Sequence, residues 1–142
     1  MAGTLDGAAL AVAGTSLVDL TRFTDDRGEL IIGDHLPFEV RRIFTVAGVP
    51  PGADRGIHAH RACQQFLVCL RGSVVALVDD GTRRQSVLLD DPAVGLHMPA
   101  LTWGTQTDYS PDALLLVLAS DPYDVNDYID DYAEFTALVK AS

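Results

Sequence analysis

From Leu17 onward the chain is a succession of short apolar segments cut apart by turn residues, and this spacing constrains the fold more than any other property of the sequence. The segments are Leu17–Phe23, Glu29–Ile32, Val40–Val46, Gln65–Leu70, Ser73–Val78, Gln85–Leu89 and Ala113–Ala119. Several short strands at such intervals indicate an all-β sandwich or barrel. Asp80-Gly81, between Val74-Val-Ala-Leu-Val78 and Ser86-Val-Leu-Leu89, is the sharpest hairpin signal, because glycine supplies the positive φ that tight turns require. After Pro122 the period changes: Tyr128, Tyr132, Phe135 and Val139 lie at offsets of four, seven and eleven, one stripe of a helix. The chain is therefore expected to end in an α-helix, with Asp124, Asn126 and Asp127 as candidate caps. Residues 1–14, rich in Ala and Gly without a period, read as a flexible leader, and residues 15–142 as a single domain.

A chain of 142 residues that is 48% hydrophobic can bury a core without metal or disulfide staples. Its longest apolar runs, such as Ala113-Leu-Leu-Leu-Val-Leu-Ala119, fall far short of the roughly 20 residues of a membrane helix, and no basic segment precedes an apolar one at the N-terminus. A soluble, cytoplasmic protein with no membrane partner is expected. In that compartment Cys63 and Cys69 read as small buried hydrophobes rather than a disulfide. A net charge of −10 repels a phosphate backbone, so nucleic acid is not an expected partner. Local convergence of Arg27, Arg41, Arg42, Arg55 and Arg61, five of the ten bases, still permits a small anionic ligand.

The chemistry-bearing motif is His58-Ala59-His60. Imidazoles at i and i+2 on an extended segment share a face and can act as a pair. The spacing of Gly52, His58, His60, position 65 and Gly72 resembles the first motif of the cupin superfamily, in which position 65 is Glu and a metal is held by that Glu, the two His and a further His from a Pro-x-Gly-x-x-His motif. Here Gln65 replaces the Glu, and Pro99-Ala-Leu-Thr-Trp103-Gly104 offers Gly104 in the last slot. Two of the four ligands are gone, with the charge that would neutralise a divalent ion, even if His97 were to substitute. A metal-free site is expected. Paired imidazoles with pKa values near about 6.5 can supply base and acid together, as an isomerisation through an enediol requires. His97 alternates with Leu96 and Met98 and is a candidate to face the cavity; His35, in a turn-like stretch, is given no role.

A closer likeness extends from about Leu17 to Phe135. Arg55-Gly-Ile-His58-Ala-His60-Arg, Gln65-Phe-Leu-Val-Cys-Leu-Arg-Gly72-Ser, Asp79-Asp-Gly81, Pro92-Ala-Val-Gly-Leu96, Thr102-Trp103, Val117-Leu-Ala-Ser120 and Asp127-Tyr128-Ile129 resemble the sugar 3,4-ketoisomerases, cupins of the WxcM-like group. The resemblance implies a cupin-type jelly roll, a homodimer, and no metal or other cofactor; the N-terminal strands are candidates for exchange between subunits. It also implies a shift of the ketone of dTDP-4-keto-6-deoxyglucose from C4 to C3, in deoxy- or aminosugar biosynthesis. It places proton transfer on His58 and His60; His58 is assigned as the base at C3 and His60 as its acid partner, with the reverse order as the alternative. Arg55 and Gln65 become candidates to contact the enediolate oxygen, Arg27 to hold the pyrophosphate, and Trp103 to stack on thymine or fill the barrel, with His97 as a further substrate contact. Some members carry Tyr where this chain has Phe44 and His where it has Gly104, so a hydroxyl and an imidazole are absent. The gluco product is expected over the galacto. The competing readings are a non-catalytic cupin that binds a sugar nucleotide, a metal-dependent cupin using His58, His60 and His97, and a nucleotide-sugar epimerase.

Overall fold

The computed structural model describes residues 8–142. Its strands are β1 (Ala8–Ala9), β2 (Ser16–Asp19), β3 (Thr21–Asp25), β4 (Gly28–Ile32), β5 (Arg42–Ala47), β6 (Arg55–His60), β7 (Gln65–Arg71), β8 (Val74–Asp79), β9 (Arg84–Leu89), β10 (Val94–Met98), β11 (Trp103–Thr107), β12 (Leu114–Ala119) and β13 (Tyr128–Ile129), followed by helix α1 (Tyr132–Ala141). They form a six-stranded sheet in the order β1-β2-β10-β7-β12-β5 and a five-stranded sheet in the order β13-β6-β11-β8-β9, with every pairing antiparallel. The two sheets face one another as the jelly roll that the strand spacing and the family likeness implied.

Strand alternation builds the core. Leu67 and Cys69 on β7, Leu115 and Val117 on β12, and Leu96 and Met98 on β10 point inward from the larger sheet, to meet Val74, Ala76 and Val78 on β8 and Val87 and Leu89 on β9. The intervening residues of β7 and β12 face the other way. Phe66 and Val68 there pack with Val18, Leu36 and Phe38 on the outer surface of the larger sheet. The smaller sheet is covered by α1, whose fully buried Phe135 lies against Ala59 and Ile129. The two cysteines are buried and free, as expected. No helix of the described residues is long and apolar enough to cross a membrane.

Three expectations about the chain change here. Residues 1–7 of the supposed leader lie outside the described residues, but the rest of it is packed: Ala8 and Ala9 pair with β2, and Val12 is fully buried in the core. Val12 in the core, Leu10 packed against it and the backbone pairing of β1 supply that anchoring, although they give no period. The terminal helix begins at Tyr132, later than the aromatic stripe suggests, because Asp131 caps it by accepting from the amides of Ala133 and Glu134. Tyr128 instead belongs to β13, paired with His60. Finally, the single segment Leu17–Phe23 is divided at Leu20 into β2 and β3, and β3 turns back on β4 as a hairpin that pairs with neither sheet.

Candidate active site

A cavity of about 400 Å³ opens between the sheets at the end of the barrel where β5, β6, β7 and β12 converge. One wall is apolar, built from Val46, Leu67, Met98, Leu115 and Val117. Arg42, Arg55, His58, Gln65, Gln106 and Tyr128 supply the polar lining. An apolar wall faced by a cluster of polar side chains can bury a small molecule and fix its orientation.

The local backbone of β6 sets the catalytic face. Gly104 pairs with His58 but Thr105 pairs with Gly56, so Ile57 is an extra residue bulged out of the ladder. Gly56 and Ile57 both have positive φ, 83° and 64°. Glycine takes that conformation freely, whereas for a β-branched side chain it costs about 1–2 kcal/mol. The bulge turns Ile57 out to solvent and leaves Arg55, Gly56 and His58 all on the cavity. Strain is thus stored one residue before the first motif histidine.

His58 and His60 meet through their Nε2 atoms at 3.2 Å. Only His58 lines the cavity; His60, 5% exposed, stands behind it and reaches the cavity through it. The Nδ1 of His60 is 2.9 Å from Oδ2 of Asp127. An ionised carboxylate only accepts, so His60 donates from Nδ1 and, when neutral, presents its Nε2 lone pair to the Nε2–H of His58. The ring nitrogen of His58 left with a free lone pair is then Nδ1. Burial drives the His60 pKa below its ordinary value, with the neighbouring His58 and Arg42 charges acting in the same direction and the Asp127 hydrogen bond opposing them. Burial alone would raise the Asp127 pKa, but donation from the amides of Ala62 and Cys63 and from His60 outweighs it, and the net shift is downward. The site therefore holds a carboxylate, a neutral buried imidazole and a cavity-facing imidazole in line.

Asp127 was not singled out from sequence except as a helix cap. It lies 67 residues from His60, and nothing in their spacing links them; the one pointer was its place in the Asp127-Tyr128-Ile129 segment. In the sequence Tyr128 stood out only in that segment and in the aromatic stripe, and Arg42 only among the five arginines; the fold brings both to the site. The Tyr128 ring lies 4.8 Å from that of His58 and 4.5 Å from that of His60, and Arg42 Nη1 donates to its hydroxyl at 3.5 Å.

Of the residues chosen from sequence, the structure brings together His58, Arg55 and Gln65 at the cavity, with His60 behind. Three others are elsewhere. His97 is on the outer face of β10, because Leu96 and Met98 take the inward positions; its Nε2 pairs with Oε1 of Gln64 at 2.9 Å and its ring packs on Phe38. Trp103 is one residue from the inward-facing Gly104 and so points outward, between Tyr132 and Phe135. Arg27 sits in the β3–β4 turn with its side chain 86% exposed and paired to Asp25. A Cβ at position 104 would lie 2.5 Å from the Met98 methyl, so a side chain there requires that flexible chain end to move.

Two histidines held neutral by burial make stability depend on pH. His60 and His97 both have pKa values lowered from 6.5, so the unfolded chain binds protons that the folded chain refuses. Stability is complete above pH 6.5 and is lost as pH falls through the folded-state values; the thermal midpoint is expected to be lower at pH 5.5 than at 7.5, as scanning calorimetry would show.

Comparison with known proteins adds a second line. The family model described as FdtA, WxcM-like, C-terminal, matches residues 13–140. A TDP-4-oxo-6-deoxy-alpha-D-glucose-3,4-oxoisomerase of Aneurinibacillus thermoaerophilus is 38% identical over 122 residues, covering 84% of this chain and 88% of that protein. A 3,4-ketoisomerase from Helicobacter canadensis has a TM-score of 0.86 at 35% identity, covering 89% of this chain and 98% of its own. The 3,4-ketoisomerase QdtA of Thermoanaerobacterium thermosaccharolyticum, crystallised as a mutant with TDP-4-keto-6-deoxyglucose, has a TM-score of 0.89 at 30% identity over 92% of this chain and 96% of its own. A family model spanning almost all of the described barrel, together with relatives matched over most of their length, shows that this chain belongs to the WxcM-like family of FdtA type.

Proposed function

We propose that the chain isomerises dTDP-4-keto-6-deoxy-D-glucose to the dTDP-3-keto-6-deoxy sugar through an enediol, without metal or coenzyme. The observation that carries this reading is the Asp127–His60–His58 line, which ends at a cavity wall with one imidazole nitrogen that no described residue engages. Relatives whose names specify the 3,4-shift of a TDP-linked keto sugar support the substrate class.

The reaction is redox-neutral: C3 is oxidised as C4 is reduced, so proton movements alone complete it. The C4 carbonyl acidifies the C3 proton, which His58 removes. His60 and Asp127 stabilise the resulting imidazolium from behind, and Arg55 and Gln65 are the donors for charge developing on oxygen. The gluco product requires C4 to be protonated from the face opposite the C3 hydrogen, whereas return of the same proton on the same face gives the galacto product. The gluco product is the assignment proposed.

The chain is also proposed to work as a homodimer, with exchange of strands between subunits. The β3–β4 hairpin supports this: it pairs with neither sheet and leaves Phe23 57% and Leu30 58% exposed. Sedimentation equilibrium reads the assembly directly.

Incubation of the protein with dTDP-4-keto-6-deoxyglucose in deuterated buffer is expected to give a 3-keto product carrying deuterium at C4, with the large H4–H5 coupling of the gluco configuration measured in a parallel run in ordinary water. A small coupling assigns galacto instead. A product with an inverted centre beside an unmoved ketone makes the protein an epimerase, and thermal stabilisation by the substrate with neither turnover nor exchange makes it a binding module.

A further inference from the structure

We infer that Tyr128 carries the proton that must pass between the two substrate oxygens, and that Arg42 positions it for this. The inference rests on the isomerase reading and goes beyond it. A 4-keto, 3-hydroxy sugar becomes a 3-keto, 4-hydroxy sugar only if a proton moves from C3 to C4 and another from O3 to O4. Removal of the C3 proton belongs to His58, whose ring faces the cavity. The second transfer needs a group that can give a proton to one oxygen and take one from its neighbour, and a single imidazole engaged with the carbons does not serve both.

Among the described residues that line the cavity, Tyr128 alone carries a hydroxyl. The opposite pairing of Tyr128 with His60 across β13 and β6 puts its ring on the catalytic face of β6, where it lies against both histidine rings. Its oxygen accepts from Arg42, which leaves its own O–H to donate to a ligand. Arg42 in turn is held by Cys63 Sγ at 3.8 Å and stacks over the Phe44 and Tyr123 rings. Its Nε is buried without a hydrogen-bond partner among the described residues. A guanidinium anchored in this way stabilises negative charge on the phenol oxygen during the transfer.

The step balances. As His58 takes the C3 proton and the C3–H electrons form the C3=C4 double bond, Tyr128 protonates O4, giving the enediol and a phenolate beside Arg42. The phenolate then removes the O3 proton while C3 becomes the carbonyl and C4 takes a proton. For the gluco product that proton comes from water on the opposite face while His58 releases its own to solvent; its return from the His58 imidazolium gives the galacto product instead. Tyrosine and histidine finish as they began. Phe44, which carries no hydroxyl, lies across Arg42 from Tyr128, so the arrangement places the needed oxygen acid on a different strand from that position.

Tyr128→Phe is expected to lower kcat by roughly 10²-fold or more, the range of a lost acid–base group, with KM within about threefold. Incorporating a ring-fluorinated tyrosine at position 128, which preserves shape and fold, is expected to move the alkaline limb of the kcat/KM profile to lower pH, since the fluorinated phenol is the stronger acid. A Tyr128→Phe protein that keeps kcat within about threefold of the parent overturns the assignment. So does a loss confined to KM or to the folded fraction, accompanied by an unmoved profile in the fluorinated protein. Failure of the unsubstituted protein to move the ketone overturns the isomerase reading itself and this inference with it, and is read without any variant.

Discussion

His58→Asn is expected to reduce turnover of dTDP-4-keto-6-deoxyglucose by roughly 10²–10⁴-fold and to remove solvent exchange at the sugar carbons, while binding of the nucleotide is kept. Asparagine retains a planar polar group of similar reach but has no lone pair basic enough to take a proton from carbon. The substitution should leave the fold intact. His58 is only half-buried, and the hydrogen bond it makes is to His60 Nε2, which an amide can still supply with a donor. Stopped turnover with an unchanged thermal midpoint and unchanged TDP affinity would place the base at His58. Turnover unchanged in this variant would remove His58 from that role and leave no cavity-facing imidazole among the described residues to replace it, since His60 is shielded and His97 faces outward.

The fold class was legible because it depends on local alternation. Turn residues at regular intervals marked most strands, and the Asp80-Gly81 turn joins β8 to β9 as the sequence indicated, with Asp79 paired to Arg84. Strands that lacked apolar alternation escaped: β11, Trp103-Gly-Thr-Gln-Thr107, carries one large apolar residue, and β13 is two residues long. The site was legible in proportion to how local its determinants are. His58 and His60 share a strand, and Gln65 follows closely enough for its motif spacing to be read. Asp127, Tyr128 and Arg42 come from separate strands or loops and meet only because β13 pairs with β6 and the larger sheet closes over them. Trp103 and His97 show the opposite error. Each was placed near the site by motif or pattern, and a strand's period of two sends it to the wrong face when its neighbour takes the inward position.

Asp127→Asn tests the line behind the base. Three N–H groups converge on the native carboxylate: Ala62 N at 2.7 Å on Oδ1, and Cys63 N at 3.3 Å and His60 Nδ1 at 2.9 Å on Oδ2. An amide has one oxygen to offer. If that oxygen keeps the Ala62 contact, its NH₂ faces two donors, and His60 can respond only by moving its own proton to Nε2. His60 then donates to His58 Nε2, and the His58 proton is driven to Nδ1, which occupies the lone pair that should receive the C3 proton. If the amide turns over, the relay survives but the NH₂ is pressed against Ala62 N, at the shortest of the three distances. The first arrangement is therefore favoured, and kcat is expected to fall by roughly 10²–10⁴-fold, because the base is held in the wrong tautomer. Stability should fall as well, by about 1–3 kcal/mol, the cost of leaving one donor in this partly buried turn unpaired. Nitrogen NMR of the histidine rings separates the two effects: the variant should carry the His60 proton on Nε2 where the parent carries it on Nδ1. A variant with the parent tautomer and parent kcat would show that His60 and Asp127 contribute packing alone, and that His58 works without them.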